Sequence, residues 1–143
     1  MKRIIVCGVA LVVALCSSLA YAASVKDFKG SVDKGGSLTF SALRDHGKYT
    51  RAGLFELKRI PLKCDGGTTT KGHFNTSNAV DVTHRSFHYN FNFGADGTAR
   101  IAGHFNRKGN KATGTFNVPS VDFTPPHTGC STNGARDWTA HKQ

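Results

Sequence analysis

The chain has 143 residues, with 19 Lys and Arg against 9 Asp and Glu, a formal charge of +10 and a pI near 9.8. Apolar residues make up 38%, and 10 Phe with one Trp supply enough ring surface to offset chain entropy in a core. This is material for one domain, and it excludes a multidomain enzyme, a coiled coil and a polytopic membrane protein.

Residues 1–22 read as an export signal. Met1-Lys2-Arg3 is a short basic start, Ile4 to Leu19 carries no charge, and Ala20-Tyr21-Ala22 is an A-x-A cleavage site. The apolar run is about 16 residues, short of the ~20 that span a bilayer. Cleavage after Ala22 removes 22 of the 143 residues and leaves a domain over 23–143; loss of Lys2 and Arg3 takes the charge from +10 to +8. Cys7 and Cys16 leave with the signal, so Cys64 and Cys130 have one possible pairing in an oxidising compartment. The expected location is extracellular, or periplasmic where the source has an outer membrane.

Beyond Ala22 no apolar pattern of helical period persists for three turns, and alternation of period two takes its place. Leu38, Phe40 and Ala42 alternate with Thr39 and Ser41; Phe87, Tyr89, Phe91 and Phe93 alternate with His88, Asn90 and Asn92. Ile101, Gly103 and Phe105 continue the pattern, then Ala112, Gly114, Phe116 and Val118, and finally Trp138 and Ala140. Turn signals punctuate these runs at Lys34-Gly35-Gly36, Asp65-Gly66-Gly67, Ala95-Asp96-Gly97, Lys108-Gly109-Asn110 and Thr124-Pro125-Pro126. Short strands with regular punctuation predict an all-β fold, a single antiparallel β-sandwich or flattened barrel stapled by Cys64–Cys130.

The centre admits a finer register. A three-residue loop at Ala95-Asp96-Gly97 pairs Phe93 with Ala99, Phe91 with Ile101, Tyr89 with Gly103 and Phe87 with Phe105. The next hairpin, turning at Lys108-Gly109, pairs Phe105 with Ala112, Gly103 with Gly114 and Ile101 with Phe116. A recurring phrase fits the same picture: Gly72-His73-Phe74-Asn75, Gly103-His104-Phe105-Asn106 and Gly114-Thr115-Phe116-Asn117. Its irregular spacing is strand grammar, in which Gly relieves crowding and Phe fills the core.

Leu54-Phe55-Glu56-Leu57 leading to Cys64-Asp65-Gly66-Gly67, then Gly103-His104-Phe105, Thr113-Gly114-Thr115-Phe116 and Cys130 followed by Trp138-Thr139-Ala140, carry a resemblance. Over roughly residues 50–141 the chain resembles a family of small secreted β-sandwich domains best represented in actinobacteria. That resemblance implies export and a sandwich fold, and it brings no catalytic residues.

Histidine is the first candidate for chemistry. The register above sets His88 directly opposite His104 on the solvent face, with Cβ atoms about 5 Å apart, close enough to share a transition metal. Basic charge is the second. Arg107, Lys108 and Lys111 cluster at one hairpin tip and Arg100 shares the solvent face with the two histidines. Such a field concentrates extracellular polyanions, such as acidic polysaccharide or cell-wall polymers, without sequence-specific readout of nucleic acid. Enzyme signatures are missing: no G-x-S-x-G, no H-E-x-x-H, no phosphate-cradling glycine loop, and acids scattered over turns. The expectation is an exported, non-enzymatic domain that needs no cofactor and binds anionic polymers or surfaces. The competing class is a secreted hydrolase or metal-dependent enzyme whose site no motif announces.

Overall fold

A computed structural model describes residues 23–143, so the expected export signal over residues 1–22 lies outside the described residues. Nine strands follow one another: β1 (Ser24–Val32), β2 (Ser37–Asp45), β3 (Lys48–Lys63), β4 (Thr69–Asn75), β5 (Ala79–Asp81), β6 (Ser86–Asn92), β7 (Gly97–Phe105), β8 (Lys111–Val121) and β9 (Arg136–Lys142). Two single 3₁₀ turns, Asp65–Gly67 and Gly94–Asp96, are the only helical pieces among the described residues. The all-β, antiparallel expectation holds.

The strands form one continuous sheet in the order β4-β3-β2-β1-β9-β8-β7-β6, with β5 paired to β3 in line with β4. Two meanders, β1–β4 and β6–β8, are thus joined by β9, which pairs with β1 on one side and β8 on the other. The sheet curls until its inner faces meet. Phe40 of β2 contacts Phe87, Phe105 and Trp138 from the other half, and Phe74 of β4 meets Phe91 and Phe116. Across the seam between the sheet's two edges, Thr76 Oγ1 and Asn78 Nδ2 donate to Tyr89 Oη at 3.0 and 3.1 Å.

Period-two alternation selects what lies inside. Leu38, Phe40 and Ala42 are buried on β2, Ile101 and Phe105 on β7, Ala112, Phe116 and Val118 on β8, and Trp138 and Ala140 on β9. The β7–β8 register is the expected one, with Ile101 opposite Phe116, Gly103 opposite Gly114 and Phe105 opposite Ala112. Here the repeated glycines find their use. A β-carbon on Gly103 would stand 2.5 Å from Phe87 and 2.6 Å from the Trp138 ring, and one on Gly114 would stand 2.7 Å from the same ring.

The β6–β7 register corrects the expectation by two residues. Phe87 faces Gly103, Tyr89 faces Ile101 and Phe91 faces Ala99, while Phe93 belongs to the turn. The turn decides this. Gly94 takes φ 65° and Gly97 takes φ 120°, and Phe93 N–H donates to Gly97 O at 2.9 Å, so the three-residue loop is Gly94-Ala95-Asp96, one residue earlier than expected. A two-residue shift keeps every side chain on its face and changes every partner. His88 therefore stands opposite Ala102, and His104 stands opposite Ser86.

One end of the curled sheet is closed by the long connection from β8 to β9. Cys64 and Cys130 are bonded as expected, and Lys63 and Ser131 exchange backbone hydrogen bonds of 3.0 and 2.8 Å beside them. Arg136 is buried on the inner face there, donating Nη2 to Thr132 O at 3.2 Å. Two outcomes test this account. Gly114→Ala should lower unfolding free energy by about 1–3 kcal/mol or more in urea, because a β-carbon there runs into the Ala102 carbonyl of β7 as well as the Trp138 ring; an unchanged midpoint would contradict this close approach of β7 and β8. Replacing both Cys64 and Cys130 by Ser opens a loop of 66 residues and should cost up to about 4 kcal/mol, seen as a lower thermal midpoint.

Candidate functional site

The other end of the sheet stays open. Three connections surround it: the β2–β3 turn at His46-Gly47, the segment Val82–Arg85 between β5 and β6, and the β7–β8 turn over Asn106–Asn110. Between them lies a pocket of about 590 Å³ whose lining carries Arg44, Lys48, Arg85 and Arg107, with His84 beside them. Val82, Tyr49 and Phe105 form its apolar part. None of its lining residues is Asp or Glu.

Each wall has a local reason to be where it is. His46 (φ 46°) and Gly47 (φ 78°) make a two-residue turn between the paired Asp45 and Lys48, which suits the right-handed twist of the hairpin. In the β7–β8 turn the Asn106 side-chain oxygen accepts from Asn110 N–H and Lys111 N–H at 3.1 and 3.2 Å. Its amide donates to Asn110 Oδ1 at 2.7 Å, and this pins the loop that carries Arg107. His84 (φ 50°) and Arg85 (φ 67°) are consecutive non-glycine residues in the left-handed region, held by reciprocal 2.9 Å backbone bonds between Thr83 and Ser86. That conformation costs roughly 1 kcal/mol per residue, and such strain gathers at binding sites. Arg85 O also accepts from Phe105 N–H at 2.8 Å, tying the strained turn to β7.

The floor is a layered stack. Phe105 and Tyr49 lie face to face at 4.3 Å, Phe28 meets Tyr49 edge-on at 5.7 Å, and Tyr49 Oη donates to Gly109 O at 2.7 Å. The Arg44 guanidinium stands 5.8 Å from the Tyr49 ring centre, in the range of a cation–π contact. Burial pushes the Tyr49 phenol above its ordinary value of 10.0, and the neighbouring Arg44 charge opposes that shift.

The acids near these cations do not line the pocket, and each has a contact of its own. Asp81 pairs with Arg51 at 3.9 Å, and Asp45 pairs with His46 at 2.7 Å. Glu56 lies 3.0 Å from Lys58 and 3.2 Å from His73, and the Lys58 hydrogen bond leads in holding its carboxyl below the usual range.

Of the basic residues singled out from the sequence, Arg107 lines the pocket and Lys108 sits at the same exposed tip. Lys111 opens β8 just behind it, opposite His141. Arg100 is apart from them, exposed in mid-β7 between Asn90 and Asn117 and roughly 17 Å of strand from Phe105. His88 and His104 are diagonal neighbours on the outer face, and His104 Nδ1 shares a 2.9 Å hydrogen bond with Ser86 Oγ. The directly opposed pair expected for a shared metal is therefore not formed. Arg44, Lys48, His84 and Arg85 were not singled out by the sequence argument. A signal existed: Arg44 stands two residues beyond buried Ala42, Arg107 two beyond buried Phe105, and Arg85 two before buried Phe87. The rows that make the core end in arginine.

Tyr49 gives a direct readout of this end. Its raised phenol contributes stability that is complete below the unfolded pKa of about 10 and is lost as pH rises through the folded value. Alkaline titration by ultraviolet absorbance should show one tyrosine ionising above pH 10, and Tyr49→Phe should remove that step while costing about 1 kcal/mol for the lost bond to Gly109. Coincident titration of folded and urea-unfolded protein would contradict the buried stack.

No protein-family model, no curated protein and no solved structure matches this chain, so the chemistry of the open end rests on its own residues.

Proposed function

We propose that this is an exported, non-enzymatic domain that binds anionic extracellular polymers or surfaces through the open end of its sheet. The observation that carries the reading is the convergence of Arg44, Lys48, Arg85 and Arg107 on one pocket that no carboxylate lines. Cations left without acidic partners attract a negative ligand over several ångströms, and clustering them in a concavity concentrates that field. Two further features support it. The strained His84-Arg85 turn holds two polar side chains at the rim, and the hairpin tip adds Lys108 outside the pocket.

Retention of the protein on an anionic polysaccharide column should fall steeply between about 50 and 500 mM salt, because the contacts are screened and released counterions favour dissociation. Arg85→Gly separates binding from folding. Glycine relieves the positive φ, so the variant should be up to about 1 kcal/mol more stable in urea, yet elute at clearly lower salt. Arg107→Glu should elute earlier still, whereas Arg100→Glu, on the outer face, should move elution little. Retention that ignores salt, or that responds equally to Arg100 and Arg107, would sink the proposal.

A further inference from the structure

The four cations differ in their contacts, and Arg44 has the most. Its guanidinium lies over Tyr49, which Phe105, Phe28 and the bond to Gly109 O immobilise in turn. Arg44 Nε donates to Gly47 O at 3.2 Å. With Nε so engaged, the two Nη groups are the edge of the fork that remains for a ligand. A guanidinium fixed in this way is a preorganised bidentate donor, which a lysine cannot reproduce.

Arg85, Arg107 and Lys48 reach the same pocket from three other segments of the chain. One planar carboxylate is satisfied by a single fork. Donors from four separate segments match a group with three terminal oxygens set tetrahedrally and more than one negative charge. A phosphomonoester is that group, carrying about −1.5 to −2 at neutral pH. The pocket, at about 590 Å³, is far larger than a phosphate and falls within the ~300–1,000 Å³ common for organic ligands. Its apolar lining, Val82 and the part of Tyr49 that Phe105 and Arg44 leave uncovered, offers nothing to a bare ion but suits the carbon face of a ring.

We infer that the open end receives a phosphomonoester borne on a ring-sized organic group, with Arg44 as the residue that orients the phosphate. The inference rests on reading this pocket as an anion site and narrows it to a ligand class. A pocket at the end of the sheet, walled by three connections, takes a terminal or protruding group and not the length of a polymer.

Calorimetry with three small probes tests it: glucose 6-phosphate, inorganic phosphate and glucuronate. Glucose 6-phosphate should bind one to one, at least tenfold more tightly than either of the others. Arg44→Lys keeps the charge and should weaken glucose 6-phosphate at least tenfold, while Lys71→Ala, exposed on β4 and outside the pocket, changes it less than twofold. Inorganic phosphate binding equally well would overturn the organic part of the assignment, and equal binding of glucuronate would overturn the phosphate part. An unaltered affinity in Arg44→Lys would remove Arg44 from its role. If no small probe binds while the anionic column still retains the protein in a salt-dependent way, the ligand class is wrong and the polymer reading stands. If neither occurs, both readings fail.

Discussion

Trp138 occupies the space that Gly103 and Gly114 leave open, and it does so from β9, the strand that pairs with both meanders. The rest of the sheet hangs on that arrangement. The indole meets Phe40 from the first meander and Phe87 from the second, so one ring contributes to both halves of the core. Without small residues at two neighbouring positions on β7 and β8, so large a side chain would have no place on the inner face. With the ring seated, β9 is fixed in register between β1 and β8, and the curl that brings Phe40 against Phe105 follows. The disulfide acts on the same end of the molecule, tying the close of β3 to the connection that feeds β9.

The two ends differ in how their polar residues are used as well as in closure. Asp33, Asp65, Asp96 and Asp122 all stand in turns or connections at the closed end, where Asp122 Oδ1 accepts from Gly129 N–H at 2.6 Å. These are backbone jobs that suit Asp. Cations stand at both ends, Lys34, Lys63 and Arg136 at the closed one, and Asp45 and Asp81 lie beside the open end's connections. What sets the open end apart is a pocket lined by Arg44, Lys48, Arg85 and Arg107 and by no carboxylate. Net charge alone cannot express this, because +10 says nothing about where the nine acids sit.

Much of the fold was legible because its strands obey a period of two. Leu38 to Ala42, Ile101 to Phe105 and Ala112 to Val118 alternate cleanly, and the structure buries them as read. The export-type cysteine count also led to the right bond. Less legible was β3, the longest strand, where Leu54 (φ 53°) and Arg59 (φ 55°) break the alternation and bulge the ladder. Strand β1 hides for another reason: of its inward positions, Lys26, Phe28, Gly30 and Val32, only two are large and apolar. The β6–β7 register failed on a choice between neighbouring glycines. Either loop placement preserves the faces, so hydrophobic pattern could not decide, and the left-handed backbone at Gly94 did. The His88–His104 pair rested wholly on that choice.

The open end was missed because arginine at the end of a core row reads as the place where the strand leaves the interior. Physically it is an ending that also leaves donors at the surface. Every inner row must stop, and stopping at Phe105 or Tyr49 alone would leave ring edges against water. Arg44 covers Tyr49 with a planar, weakly hydrated cation, so its stem and ring-facing side shield the stack. The Nη edge of that guanidinium, in the plane of the group, still has donors to satisfy, and water or an anion must do it. Covering an aromatic core with arginine therefore leaves an edge of unpaired donors as a by-product. The turn at His84-Arg85 holds about 2 kcal/mol of left-handed strain. Its backbone works for the sheet, closed by Thr83 and Ser86 and bonded through Arg85 O to Phe105 of β7, while the Arg85 side chain is left to line the pocket.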